Sequence, residues 1–298
     1  MNLLEINNVE YEVVKGYDKV INLSLYEEKQ LEEIIKWKKQ KPSVLSKTIN
    51  LVSKPIVWAG NKLIPNIAFE GILNFSNLLS VRLTDKEDIR KKVGVKDIEE
   101  LRYKRLDLSD SLADEIHKWA IKAAVVEGGG TGILGLAGIA IDIPVVITLA
   151  FNTINKIGIC YGYECKTKDD REFCMAILSA SSSNTIEEKA AALGFLKNIE
   201  ITLTKKSWEA IAIKAAKKRM SKEAGIIAAK NLSKQLGVNL SKRKALAAIP
   251  IAGAVVGGSV NGLFLRDVGW SAKRAFQERW LMDNGKIDEE DYYKSILL

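Results

Sequence analysis

Two long, glycine-rich apolar segments set the strongest limit on how this chain can fold. Residues 128–155 carry one charge, Asp142, and residues 245–265 carry none. About 20 apolar residues can span a bilayer, but Pro144, Pro250 and the glycines weaken both segments as spanning helices. We therefore expect both segments to form the core of a helical protein. Insertion into a membrane, or the lining of a lipid-sized cavity, remains the alternative.

The spacing of glycines within these segments favours close helix packing. Glycines four residues apart lie on one face of a helix, where a neighbouring helix can approach because no side chain intervenes. The second segment has two such pairs, and the first has a comparable cluster. The glycines predicted to pack closely are Gly128, Gly132, Gly135, Gly253, Gly257, Gly258 and Gly262.

Apolar residues recur every three or four positions along most of the chain, which predicts an all-α, multi-helix bundle around the two segments. Leu112, Ile116 and Ala120 define one such face, and another helix reaches Trp37 and ends before Pro42. Only residues 7–21 contain the alternation that would suit a small β element. The expected organisation is an N-terminal extension (1–24), one helical domain (25–282) and a C-terminal tail (283–298).

Several polar residues are predicted to begin helices. Thr84 and Thr185 each precede a glutamate by three positions, which is the capping-box spacing. Another helix is expected to begin at Ser109. Asp142 lies two residues before Pro144, and proline is tolerated in a first helical turn, so we predict Asp142 as the structural cap of a helix from Ile143 to about residue 159.

Positive charge is concentrated in residues 197–244, where 13 Lys or Arg and 3 Glu give a local balance of +10, against +8 for the whole chain. Around Trp208 the pattern predicts a basic amphipathic helix, which suits either an anionic membrane surface or a phosphate partner. A solvated, lysine-rich surface is the alternative interpretation. The lysines predicted to contact membrane or lipid are Lys205, Lys206, Lys214, Lys217 and Lys218.

Motifs for common chemistries are weak. Gly130 to Gly135 match the dinucleotide fingerprint, but a helix rather than a strand is predicted before them, so no cofactor is expected. The lone histidine, His117, falls opposite Leu112 and Ile116 and is predicted to be exposed, and no metal site is predicted. The three cysteines are odd in number and close together, which indicates reduced thiols in a cytoplasm: Cys160, Cys165 and Cys174.

Two blocks of the sequence resemble the EcsC family of bacterial proteins. The central block comprises Glu127-Gly128, Thr131-Gly132, Gly135, Asp142-Ile143-Pro144 and Tyr161-Gly162. The C-terminal block comprises Ile249-Pro250, Gly253, Gly257-Gly258, Asn261, Arg266-Asp267-Val268 and residues 272–276. Tyr26-Glu27 and Trp37 fit the opening helix of the family. The likeness covers roughly residues 25–282, implies a bacterial cytoplasmic setting and supplies no catalytic residue. The family takes its name from a protein encoded beside an ABC transporter pair.

These observations lead us to expect a non-enzymatic, peripheral membrane- or lipid-associated protein at the inner face of the membrane. Its expected partners are an anionic lipid or an acyl chain, and nucleic acid is not favoured. A soluble scaffold acting with a membrane transporter is the second reading. The third is an enzyme that uses carboxylates in apolar surroundings, namely Glu127, Asp142 and Asp267.

Overall fold

A computed structural model describes residues 23–41, 66–132, 135–211, 231, 235 and 253–287, which form helices and no strand. The helices are α1 (Leu25–Lys39), α2 (Asn66–Leu83), α3 (Glu87–Val93), α4 (Leu106–Gly132), α5 (Gly135–Cys160), α6 (Lys168–Ser182), α7 (Ile186–Ile211) and α8 (Gly253–Asp283). A 3-10 helix, Ile98–Tyr103, joins α3 to α4. The prediction of an all-α fold is confirmed, and the suggested β element at 7–21 lies outside the described residues.

The long helix α8 is the centre of the bundle. It packs most extensively on α4 and also contacts α1, α5, α6 and α7. Every residue from 271 to 282 is buried. Phe276 is its aromatic anchor, because its ring stacks on those of Tyr161 and Tyr163 and meets Phe173 edge-on at 5.3 Å. A helix buried on all sides cannot keep its charged residues in water, so each of them needs a partner inside the protein.

The buried polar residues of α8 have such partners on three other helices. Lys273 pairs with Asp114 of α4 at 2.7 Å, and Glu278 pairs with Lys38 of α1. Arg279 lies 3.5 Å from Asp170 of α6. Losing one member of a buried pair costs about 3–5 kcal/mol, because the other charge is then stranded. These pairs therefore fix which face of α8 each neighbouring helix occupies.

The predicted helix starts have mixed outcomes. The start at Thr185 is confirmed, since α7 begins at Ile186 and the Glu188 amide donates to Thr185 Oγ1 at 3.1 Å. The start at Thr84 is wrong because its hydroxyl donates to Ser80 O at 2.7 Å, at the end of α2, and α3 begins only at Glu87.

The start at Ser109 is also wrong, because α4 begins three residues earlier, at Leu106. Ser109 and Asp110 are buried inside the helix. The Asp110 carboxylate accepts hydrogen bonds from Tyr26, Tyr161 and Gln277, on other parts of the chain. A residue that reads locally as a cap is therefore used for long-range contacts.

The predicted cap at Asp142 is wrong. Helix α5 begins at Gly135 and continues through Pro144, so Asp142 lies within a helix rather than ahead of one. Proline removes one backbone hydrogen bond from a helix interior. An apolar segment packed against α2, α4 and α8 still satisfies the rest of its backbone most completely by staying helical.

Close helix packing is visible at one of the predicted glycines. A Cβ added to Gly262 of α8 would lie 2.6 Å from Cγ2 of Val125 on α4, so the Val125 side chain packs directly against the glycine. For the other six predicted glycines only the helical backbone is described, and their packing stays a prediction. None of the described helices combines the length and the apolarity that crossing a bilayer requires.

The prediction that His117 is exposed is wrong. Its side chain is 6% exposed and lies between α4 and α8, where Nε2 donates to Arg266 O at 2.9 Å. Its ring meets that of Trp270 edge-on at 5.6 Å. Burial lowers the pKa of His117 below its ordinary value, because the charged imidazolium would lose hydration. The helical wheel of α4 alone could not show that α8 covers this side.

Candidate functional site

A basic cleft of about 790 Å³ opens where α1 ends, α6 ends, α7 begins and α8 passes beneath them. Its size falls within the range typical of small-molecule sites. Among the described residues, six cationic and two anionic side chains line it, which gives these a net charge of +4. The cations are Lys36, Lys39, Lys41, Lys189, Arg266 and Arg274, and the anions are Glu33 and Asp267.

Lys189 is the most buried lysine of the cleft, with 8% of its surface exposed. Its ammonium donates to the main-chain oxygens of Trp37 at 2.6 Å and Gln40 at 2.7 Å, and so holds the end of α1 against α7. Burial lowers the pKa of Lys189 to about 8, because the ammonium loses water. A partly desolvated cation attracts an anion more strongly than an exposed one does.

Arg274 forms the floor of the cleft and is 7% exposed. Its Nη1 donates to Gln30 Oε1 at 2.9 Å and to Gln277 Oε1 at 2.8 Å, so this edge of the guanidinium is held rigidly. Its Nη2 faces Glu33 Oε2 at the longer distance of 3.4 Å. The cleft-facing contact is therefore weaker than the contacts that fix the guanidinium in place.

Behind Arg274 the polar contacts continue into the core. The Gln277 amide donates to Gln30 Oε1 at 3.1 Å and to Asp110 at 2.7 and 2.8 Å. Tyr26 donates to the same carboxylate at 2.6 Å, and Tyr161 donates to it from a fully buried position. These polar groups tie helix α1 to α4 and α8, beside the apolar contacts of its buried Leu31 and Ile34. A substitution of Arg274 would therefore alter the hydrogen bonds that run from the cleft floor to Asp110.

Two tryptophans give the cleft apolar walls beside its charges. Trp270 is 42% exposed, and the Arg274 guanidinium lies 5.3 Å from the centroid of its ring. Lys189 Nζ lies 5.7 Å from the ring centroid of Trp37. Tryptophan beside cations suits a ligand that is charged at one end and apolar at the other.

The predicted lipid-contacting lysines are not among the residues whose side chains the structure describes. Lys205 and Lys206 lie on α7, for which only the backbone is described there, and the other three lie outside the described residues: Lys214, Lys217 and Lys218. Of the carboxylates considered for catalysis, Asp267 lines the cleft and pairs with Arg266 at 3.0 Å. For Glu127 and Asp142 only the helical backbone is described.

Sequence reasoning missed the six cations because they come from three helices and a loop that are far apart in sequence. The sequence did contain two pointers to the cleft, Trp37 and the Arg266-Asp267 pair. Both had been noted only as residues that carry the family resemblance. Within the described part of the chain, no group of three or more His, Cys, Asp or Glu side chains could hold a metal ion.

Comparison with known proteins gives a family and one distant relative. The model of the EcsC protein family matches residues 28–281. The Bacillus subtilis (strain 168) protein described as "Uncharacterized protein YdbA" is 25% identical over 194 residues, covering 65% of this chain and 66% of the relative. The match thus spans just under two thirds of that relative's length. No solved structure matches this chain.

Proposed function

This chain belongs to the EcsC protein family, and we propose that it is a non-enzymatic, peripheral membrane- or lipid-associated protein whose basic cleft receives an anionic headgroup. The observation that carries the proposal is the excess of four positive charges around a cleft walled by Trp37 and Trp270. The cations would meet the headgroup, and the indole rings would meet the first apolar atoms beyond it.

Charge placement supports a surface role for the same face. Lys36, Lys39 and Lys41 are exposed at the mouth of the cleft, where they can approach a membrane without leaving their positions. Each Lys near an anionic surface contributes about 1 kcal/mol of attraction. The lysine-rich region at 197–244 would add to this attraction, and its five candidate lysines remain part of the proposal. The inner face of a bacterial membrane is the location that this arrangement suits.

Flotation of the full-length protein with lipid vesicles tests the proposal. We expect flotation with vesicles that contain anionic lipid, little with neutral vesicles, and weaker capture as salt rises, because exposed charges are screened. Changing Lys36, Lys39 and Lys41 together to Glu should lower the affinity for anionic vesicles by at least about 100-fold, because three such attractions are lost and three repulsions are added.

The matched control changes Lys91, Lys104 and Lys118 to Glu, since these lysines are exposed and lie outside the cleft. It alters the net charge by the same amount and should retain most of the binding. Equal losses in the two triple variants would mean that overall charge, rather than the cleft, governs association. Absence of flotation under every condition would overturn the proposal and favour a scaffold that acts with a membrane protein.

A further inference from the structure

Glu33 is the carboxylate that faces Arg274 among the described residues of the cleft. Its side chain is 40% exposed, and its Oε2 lies 3.4 Å from Arg274 Nη2. Its other oxygen lies 3.5 Å from Lys36 Nζ. Both distances exceed those of strong charge-assisted hydrogen bonds, which are about 2.7–2.9 Å. Glu33 thus neutralises the floor of the cleft through loose contacts.

The remaining contacts of Arg274 are shorter and face inward, toward Gln30 and Gln277. These contacts would hold the guanidinium in place if Glu33 moved away. A carboxylate that is half exposed and loosely paired can be displaced without disturbing the core, because water can solvate it once it leaves the arginine. The floor of the cleft is therefore an anion position with an exchangeable occupant.

We propose that Glu33 is an intramolecular occupant of an anion site and that the ligand displacing it is a phosphate monoester. This inference rests on the proposed function, since it names the ligand of the same cleft. The anionic group of the ligand replaces the Glu33 carboxylate beside Arg274, and no covalent bond forms or breaks. Glu33 then acts as a specificity-determining residue, because every anion must compete with it.

The competition explains why a monoester suits the cleft better than a diester. A phosphate diester carries one negative charge, so replacing Glu33 with it trades one charge for another while ligand freedom is lost. A phosphate monoester carries a charge of about −2 at neutral pH and offers three acceptor oxygens. Its second charge adds attraction to the cations of the cleft, which the singly charged Glu33 carboxylate cannot provide.

The cleft has groups placed to meet this second charge. The ammonium of Lys189 has three donors, of which the oxygens of Trp37 and Gln40 take two. Lys36, Lys39 and Lys41 stand at the mouth, within the same lining. A group of cations on separate elements around one buried guanidinium suits a multiply charged headgroup better than a lone carboxylate.

A phosphate monoester can be a lipid headgroup or a free metabolite, and vesicles separate these sources. We would compare vesicles of phosphatidic acid, a monoester, with vesicles of phosphatidylglycerol, a diester, matched in surface charge. The wild type should prefer phosphatidic acid. Equal capture by both, with none by neutral vesicles, would overturn the monoester inference and leave the proposed membrane function standing.

The role of Glu33 is tested by Glu33→Gln beside Glu32→Gln. Both variants remove one negative charge from α1, but Glu32 is exposed and lies outside the cleft lining. Glu33→Gln should raise the affinity for phosphatidic acid vesicles about 1.5-fold to fivefold, the range expected when one partly exposed ionic competitor is lost. Glu32→Gln should leave it near the wild-type value. Equal effects of the two changes would overturn the assignment of Glu33.

Calorimetry with glycerol phosphate, a soluble monoester, completes the comparison. If no vesicle captures the protein but glycerol phosphate binds, and binds more tightly to Glu33→Gln, the monoester site stands with a soluble ligand and the membrane proposal fails. If neither vesicles nor glycerol phosphate bind, both proposals fail. Melting temperatures of the two variants confirm that each is folded.

Discussion

Gly269 of α8 and His117 of α4 fill one volume between the two most extensively packed helices. A Cβ added to Gly269 would lie 2.5 Å from Nε2 and 2.7 Å from Cγ of the His117 ring. The ring cannot retreat freely, because it is buried and bonded to Arg266 O. The only histidine of the chain therefore fits where it does because its neighbour has no side chain.

Gly269→Ala should destabilise the protein by about 1–3 kcal/mol, the range for overpacking a filled core. Urea unfolding provides the measurement. The matched control is Gly194→Ala on α7, where no atom lies within 4 Å of an added Cβ. That change should be neutral or stabilising by about 1 kcal/mol, because alanine favours helix over glycine. Destabilisation of equal size at both sites would contradict the packing account.

The stability of the protein should fall as the pH is lowered through the range in which His117 of the unfolded chain takes up a proton. Burial holds the pKa of His117 below its ordinary value of 6.5, so the unfolded chain binds more protons there than the folded one. The uptake of one such proton on unfolding changes the free energy of unfolding by at most about 1.4 kcal/mol per pH unit. His117→Gln should flatten the pH dependence of the free energy of unfolding between about pH 7 and pH 5; an unchanged slope would exclude His117 as its source.

Tyr161 and Tyr26 donate to the same carboxylate, Asp110, but differ in exposure. Tyr161 is fully buried, whereas Tyr26 is 38% exposed. Tyr161→Phe should cost about 1.5–3 kcal/mol, as expected for a buried hydrogen bond to a charged group. Tyr26→Phe should cost less, since water can replace its hydroxyl. Unfolding free energies that rank the two changes in the opposite order would contradict this.

Anion binding in the cleft should weaken as the pH rises through about 8. Burial lowers the pKa of Lys189 to about 8, so its ammonium loses the proton in this range, while a phosphate monoester is already fully ionised there. Lys189→Arg keeps a positive charge, because arginine is not deprotonated in proteins. Binding of glycerol phosphate to this variant should stay flat across the same range. A parallel fall in both proteins would place the titration elsewhere.

Cys165 should be the first thiol to react with iodoacetamide in the folded protein. All three cysteines are free thiols, but Cys165 is partly exposed, whereas Cys160 and Cys174 are buried. Burial raises the pKa of Cys160, and a hydrogen bond to Cys165 together with burial raises that of Cys174, so neither forms the reactive thiolate readily. Mass spectrometry of peptides after brief labelling checks the order. Cys165→Ser should leave only slow labelling that follows unfolding.

Local patterns account for the parts of the fold that were predicted correctly. Apolar periodicity predicted helices because residues three or four positions apart lie on the same face of a helix. Thr185 precedes a helix because its side-chain oxygen accepts from an amide three residues later. The same reasoning overlooked two capping boxes that the structure contains, at Ser24 and Thr167. Both have the same spacing as Thr185, with an acidic residue three positions later, so the signal was present in the sequence.

The errors arose where a polar residue makes contacts other than the predicted cap. Asp110, beside the predicted start at Ser109, lies inside α4 and accepts hydrogen bonds from two tyrosines and Gln277. Thr84 closes one helix instead of opening the next. Asp142 lies inside α5 because the packed apolar segment stays helical across Pro144. A single sequence window contains Ser80 but not the partners of Asp110 or the helices packed on α5, so it cannot show which contacts are made.

The sequence by itself determined the helical class and the family resemblance. Tertiary structure alone decided which charges are buried and which surround the cleft. Lys38 and Glu278, 240 positions apart, meet in the core, and Arg274 meets Glu33 at the cleft floor. The physical reason is that helix formation depends on neighbours within about one turn, whereas the cost of burying a charge depends on partners that only folding brings near.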